Sequence, residues 1–428
     1  MHRLCLLCLA LLSACSDPEV ILPGERELVR APAETNALPD EPVPLTLPAA
    51  RRNTEWTHVA GSSLHLPGHL AFAQAPERVW STSVGTGDAR RTRIVSPPVV
   101  AAGRIFALDA AARASALSPE GRVLWRTDLR PAGESVGAGF GGGFAFDAGA
   151  LIATTGYGEV IRLDPETGEV IWRTQVDGTI RAAPAVSGER VVAISRNDVA
   201  HGLETETGAI AWRVEGVGLG AGLLGGASPA IRGAIAVVPF QSGEVIALLT
   251  ENGRRVWSAA LTSGRRELAR SRIADISGDP VIDDITVYAA NQAGQVVALD
   301  RRSGDRLWTQ ADGAYGPVMP IGTSLFLVSD QAELLRLDAQ SGDVLWRQPL
   351  PEWENPERRR TAFRHYGPLL AGGRLLVASS DGELRSFDPV TGTPGPTLQI
   401  PGGAAAPPAL ADGTLYIVSG RGVLHAYR

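Results

Sequence analysis

Leu163-Asp164-Pro165-Glu166-Thr167-Gly168-Glu169-Val170-Ile171-Trp172 joins a tight Asp/Gly turn to an alternating strand that carries a tryptophan. The same wording returns at Leu299-Asp300-Arg301-Arg302-Ser303-Gly304-Asp305-Arg306-Leu307-Trp308 and at Leu337-Asp338-Ala339-Gln340-Ser341-Gly342-Asp343-Val344-Leu345-Trp346. A fixed long period sets the architecture before any single residue is read. The repeat tryptophans are Trp80, Trp125, Trp172, Trp212, Trp257, Trp308 and Trp346, spaced by 45, 47, 40, 45, 51 and 38 residues. An eighth copy, Phe387-Asp388-Pro389-Val390-Thr391-Gly392, has Pro396 where the Trp is due. Periods of about 40–50 residues with four short strands each mark a β-propeller.

The copy ending at Trp212 shows the grammar. Ala183-Pro184-Ala185-Val186 reads as a short inner strand, and Ser187-Gly188-Glu189 as a turn. Arg190 to Ser195 and Ala200 to Glu204 follow as strands, then a Thr207-Gly208 turn and Ile210 to Val214. Short strands broken by Gly, Asn and Asp, which accept positive φ, read as hairpins. The Trp falls on the outermost strand, where its ring is expected to pack between blades.

The first Trp has no inner strands before it, and the last strands, Gly413 to Ser419 and Gly422 to Tyr427, have no Trp after them. Joining the ends solves both problems. Val79 to Val84 then supplies the outer strand of the blade begun by the C-terminus, and no edge is left open between first and last blades. The expectation is an all-β, eight-bladed propeller of four-stranded antiparallel blades over residues 77–428.

The first residues read as an address. Met1-His2-Arg3 is a positive start, Leu4 to Leu12 is apolar, and Leu12-Ser13-Ala14-Cys15 puts small residues before a cysteine. The apolar run is too short for a permanent membrane span, so residues 1–14 read as a signal peptide. The ending resembles a bacterial lipobox, which implies that Cys15 is acylated and anchors the chain in a membrane. Ser16 after it, by the same resemblance, implies the outer membrane, facing the periplasm. Residues 15–50 hold Pro18, Pro23, Pro32, Pro39, Pro42, Pro44 and Pro48 and read as an extended tether. Residues 51–76, with Trp56, Leu64, Leu66 and Phe72, are expected to lie on the propeller surface.

Little else carries chemistry. Net charge is −6, which does not favour a nucleic-acid partner. All three cysteines, Cys5, Cys8 and Cys15, lie in the first fifteen residues, so the body has no disulfide or thiolate site. His65 and His69 stand four apart, but Pro67 and Gly68 between them argue against a metal-binding helix. The glycine runs 137–143 and 216–222 precede inner strands rather than helices, so they read as blade connections, not phosphate loops. Asp283 and Asp284 are adjacent and read as a turn. No catalytic residues, metal or cofactor are expected. Two connections are enlarged and rich in arginine, Gly264 to Asp275 and Pro351 to His365. Outer-to-inner connections share one face of a propeller, and long loops on a rigid scaffold are where binding concentrates.

The repeat resembles the pyrroloquinoline-quinone-type propeller. With the lipobox and tether, the chain is similar over its whole mature length to the BamB family of lipoproteins. That resemblance implies a non-enzymatic role in the machinery that assembles β-barrels into the outer membrane. It implies binding to the periplasmic domains of BamA, and contact with unfolded outer-membrane proteins. Members use two neighbouring inter-blade loops. One carries Leu-x-Leu-Arg; here Ala221-Gly222-Leu223-Leu224 keeps only the second Leu, as Leu223. The other carries Arg-x-x-Asp-x-Asp; here Arg272-Ile273-Ala274-Asp275-Ile276-Ser277 keeps the Arg and the first Asp. Leu223, Leu224, Arg272 and Asp275 are therefore the candidate partner-binding residues. Two other classes share the ring. One is a periplasmic binder of another protein or glycan. The other is a quinone-dependent dehydrogenase, for which neither an adjacent Cys pair nor a calcium-binding set is found in the mature sequence.

Overall fold

Short apolar runs separated by positive-φ turns can bury both faces only if each sheet is stacked between two others. The computed structural model, which describes residues 38–90, 92–217, 226–261 and 275–428, does this with eight four-stranded antiparallel sheets. Blade 1 pairs Arg78–Ser83 with Val423–Tyr427, followed inward by Thr414–Val418 and Ala409–Ala411. Glu77 and Arg428 exchange two backbone hydrogen bonds of 2.9 Å at the seam, so the chain ends close the ring. Blades 2 to 8 follow in chain order.

Blade 4 illustrates why the strands are apolar throughout. In Arg190–Ser195, Val191 and Ala193 belong to the buried cluster shared with blade 3, while Val192 and Ile194 belong to the one shared with blade 5. The period of two therefore feeds two cores rather than a core and solvent. The same alternation fills the other interfaces, and the bands between blades 8, 1 and 2 merge into one cluster.

Each repeat Trp reaches into the next blade. Nε1 of Trp80, Trp125, Trp172, Trp212, Trp257 and Trp308 donates to a carbonyl in the following blade's turn, at 2.8–3.1 Å. The indole lies flat on that turn's glycine. A Cβ on Gly304 would stand 2.7 Å from Trp257 Cδ2, and Gly304 also has φ +76°. In three blades a threonine two residues past the Trp adds a bond to the same glycine's carbonyl, as Thr127 Oγ1 does to Gly168 at 2.7 Å. The turn itself is held by its aspartate: Asp300 Oδ1 accepts from the amides of Arg302 and Ser303. One residue before each Trp the ladder shifts by one, so the intervening residue bulges outward. Val79, Leu124, Ile171, Val256 and Leu307 are exposed for that reason. Blade 8 departs from the pattern. Pro394 and Pro396 lack amide donors, and its outer strand shrinks to Leu398–Gln399.

Residues 51–76, expected on the propeller surface, lie against the inner strands of the blades. Residues 53–72 close one end of the central channel, visiting the inner strands in ring order. Asn53 bonds Leu410 and Asp412 of blade 1, and Trp56 exchanges two bonds with Val100 of blade 2. Thr57 accepts from Phe146 of blade 3, and the His58 ring meets Val186 of blade 4. Ser63 and Leu64 accept from Ile231 and Ile282 of blades 5 and 6. Leu66 packs between blades 6 and 7, and Leu70 pairs with Leu370 and Gly372 of blade 8. The physical reason is that the inner strand of every blade has an unpaired edge facing the channel. Buried backbone groups need partners, and this segment supplies them; Trp56 and Leu70 are 2% and 0% exposed. The expected tether also ends before residue 50. Val43 and Pro44 carbonyls accept from buried Arg336, and Leu45 and Leu47 pack on the cluster between blades 7 and 8.

His58 makes this plug acid-sensitive. Its Nε2 lies 3.0 Å from the Val186 carbonyl and 3.1 Å from the Val186 amide, and its Nδ1 2.9 Å from Thr57 Oγ1. Burial, with His65 nearby, pushes its pKa down to about 3. His201, buried in blade 4, is pushed down to about 4 by burial and then by Arg213. A histidine whose folded pKa is depressed gives stability that is complete above its ordinary value near 6.5 and is lost as pH falls toward the folded value. Buried Asp279, raised by desolvation, offsets part of this at the acid end. Urea midpoints are therefore expected to fall steadily between pH 6.5 and 4. His58→Gln is expected to flatten that slope, and an unchanged slope would remove His58 as its source.

Candidate functional site

Inner strands start on one face of the ring and end on the other. The plug occupies the face where they end. The outer-to-inner connections, and the turns between the second and third strands, lie on the opposite face. The channel is therefore a blind cup of about 680 Å³, floored by Trp56, Val59, Ala60 and Pro67 and open toward the enlarged loops.

The second enlarged connection is a hairpin, Trp353–Asn355 paired with Arg360–Ala362. Trp353 and Phe363 reach the cup's rim, while Arg358, Arg359 and Arg360 are exposed at its tip. His365 at its root is tied on both nitrogens, to Ser379 Oγ at 2.6 Å and to the Pro351 carbonyl at 2.8 Å. Arg364 leaves the hairpin to bond Asp88 across the ring seam at 3.0 Å.

Of the residues singled out from sequence, Asp275 is described; Cys15, Leu223, Leu224 and Arg272 lie outside the described residues. Asp275 stands at the start of the inner strand Ile276–Ile282 of blade 6 and is 4% exposed. It lines the cup beside Gly226 and Arg181. Burial and nearby Arg196 lower the Arg181 pKa, and Asp275 opposes them. The Arg181 guanidinium also sits 5.3 Å over the Phe140 ring. Sequence reading passed over Arg181 because nothing in its local pattern sets it apart; only the ring brings it to Asp275. His65 and His69 serve different backbone groups, the Pro280 carbonyl and the Pro48 carbonyl. Asp283 and Asp284 form a turn, with Asp284 accepting from Arg232 at 2.7 Å. The glycine run 137–143 enters blade 3, where a Cβ on Gly142 would stand 2.0 Å from the Thr154 carbonyl oxygen. Among the described residues no helix is long and apolar enough to cross a membrane.

The family model described as outer membrane protein assembly factor BamB matches residues 110–348, more than half of the chain. The chain belongs to the BamB family. BamB of Shewanella oneidensis is 26% identical over 357 residues, covering 82% of this chain and 88% of its own. BamB of Yersinia pestis is 28% identical over 259 residues, covering 59% of this chain and 66% of its own. Among solved structures, BamB from Moraxella catarrhalis superposes with a TM-score of 0.64 at 19% identity, over 83% of this chain and 98% of its own. Quinohemoprotein alcohol dehydrogenases share the ring at 14–15% identity, a likeness of fold alone. The BamB relatives are assembly factors rather than enzymes, and this propeller is of their type.

Proposed function

We propose that this BamB-type propeller is a non-enzymatic scaffold of the β-barrel assembly machinery, anchored to the outer membrane through acylated Cys15 and facing the periplasm. It binds the periplasmic domains of BamA and supports insertion of outer-membrane proteins. Family membership carries the reading, and the two loops that flank blade 5, residues 218–225 and 262–274, are its contact. Leu223 and Leu224 provide the apolar centre and Arg272 the charge, a combination suited to a binding hot spot. Asp275, at the start of the blade 6 inner strand and beside Arg181, completes the candidate set.

Leu223→Glu with Leu224→Glu is expected to reduce co-purification of BamA at least about tenfold, since losing about 1.4 kcal/mol suffices for that. Thermal unfolding should be unchanged. Undiminished co-purification removes these loops as the interface. A photo-crosslinking residue at Leu224 that traps BamA in intact envelopes supports the same contact by an independent route.

A further inference from the structure

The two loops of the proposed contact run into the inner strands of blades 5 and 6, Ala230–Arg232 and Ile276–Ile282. Ser228 lies four residues beyond Leu224, and Asp279 four beyond Asp275. The Asp279 carboxylate spans the gap between them: its Oδ1 accepts the Ser228 amide at 2.6 Å. Three consecutive plug residues hold the same two strands farther along. Ser63 accepts from Ile231 at 2.7 Å, Leu64 accepts from Ile282 at 3.0 Å, and His65 Nδ1 lies 2.8 Å from the Pro280 carbonyl. On the plug side of Asp279 the ladder is regular, with Val281 opposite Tyr288 and Ile282 opposite Val287. On the loop side the register shifts twice. Asp279 therefore stands where the regular part of the blade 6 inner strand gives way to its loop.

Ring symmetry sets this charge apart. Asp279 stands two residues before the regular ladder of its blade. The residue two before the ladder is Pro97 in blade 2, Ala183 in blade 4, Ser228 in blade 5, Pro317 in blade 7 and Pro407 in blade 1. Those blades do without a carboxylate there. Withdrawing one from water is costly unless it is hydrogen-bonded. Asp279 is half-buried in the cup wall. Desolvation pushes its pKa up, against the pull of His65 and of the Ser228 amide and hydroxyl. Packing does not call for the acid, since Pro, Ala and Ser fill the place elsewhere. What the carboxylate adds is a charge-assisted bond between the two loop-bearing strands, and such bonds are roughly twice as strong as neutral ones.

We propose that Asp279 is a positioning residue for the BamA contact. Through Ser228 it fixes the spacing between the strand that follows Leu223 and Leu224 and the strand that follows Arg272 and Asp275. The two halves of the contact are thereby presented to one partner surface at a set distance. The proposal rests on the loop contact given above and adds to it a residue that acts on the partner through the backbone of blade 5.

The test uses the full-length protein. Asp279→Ala removes the acceptor, and Ala183 shows that alanine fits this place in the ring. Ser228→Pro removes the donor, and Pro97-Pro98 of blade 2 shows that proline before proline fits as well. Each is expected to lower BamA co-purification at least about tenfold, the effect of losing one hydrogen bond to a charged group. The double variant should lose no more than either alone. In Asp279→Ala, hydrogen exchange read by mass spectrometry should quicken by a similar factor in the peptide containing Ala227 and Ser228. Asp279→Asn keeps an acceptor oxygen and is expected to stay close to the unaltered protein in both measurements. Gly103→Ala strains a turn of blade 2, with nothing within 4 Å of the added Cβ, and should leave both unchanged. Undiminished co-purification in Asp279→Ala, unchanged exchange at Ser228, or equal losses in Asp279→Asn and Asp279→Ala each overturns the proposal. Leu223→Glu with Leu224→Glu separates the two readings. If that pair releases BamA and Asp279→Ala does not, the role of Asp279 fails; if that pair leaves BamA bound, the loop contact itself fails.

Discussion

Deleting residues 51–72 is expected to leave a chain that does not fold into a stable ring. Trp56, Val59 and Leu70 are each at most 5% exposed, and burying such side chains is worth roughly 1.5–3 kcal/mol apiece. The deletion also orphans the amides of Val100, Phe146, Val186, Ile231, Ile282, Gly372 and Asp412. Water entering the opened channel would satisfy part of that loss, but stranded buried groups cost about 1–3 kcal/mol each. The sum reaches the whole stability of an ordinary domain, about 5–15 kcal/mol. The measurement is urea unfolding followed by circular dichroism. The expected result is no cooperative transition, or protein that is insoluble. A gentler form is Leu70→Ala, expected to cost about 2–5 kcal/mol. A truncated chain that unfolds cooperatively at nearly the original midpoint would show that the plug is an ornament.

The second large effect concerns the Trp-on-glycine contact. Trp257→Ala is expected to cost about 3–5 kcal/mol. Gly304→Ala should cost nearly as much, because its Cβ cannot coexist with the indole at 2.7 Å and its φ is +76°. Gly103 is the internal control: its φ is +67° but nothing lies within 4 Å of its added Cβ. Gly103→Ala therefore carries only the backbone strain, about 1–2 kcal/mol. In the double variant with Trp257→Ala, Gly304→Ala should drop to that same cost, a coupling of about 0.5–3 kcal/mol. Equal costs at Gly304 and Gly103 in the intact protein would sink the idea that the indole seat holds neighbouring blades together.

The ring was legible in the chain because its unit is repeated and local. Asp300, Gly304 and Trp308 stand at fixed offsets, and each offset reports a turn or an outer strand. Closure was legible for the same reason, since a lone outer strand at Trp80 and an unfinished blade at Tyr427 have only one solution. The plug was not legible. Trp56, Leu64 and Leu70 follow no period, because they track the spacing of eight strand edges around a channel rather than one face of a strand or helix. Most of their recognition runs through backbone groups, which every residue has. Asp275 shows the same limit from the other side. In sequence it looks like a loop charge, yet the ring buries it against Arg181, a residue 94 positions earlier. The Trp346 indole marks where the repeat weakens: its Nε1 finds no protein acceptor among the described residues. The copy that it meets is the one that has lost its own Trp.

The path of the chain into the ring also decides how this protein answers a pull. Traction on the N-terminal side of residue 43 first reaches the anchoring of Val43 and Pro44 by Arg336, then the segment threaded across the hub. From there it divides among the inner strands of seven blades, where the hydrogen bonds stand at several different angles to the line of force. No single outer strand is peeled away first, as it would be if the leash were tied to the rim. Torque is shared in the same way. The wheel is hung by its axle, and the load enters it from the plugged face, opposite the open mouth of the cup.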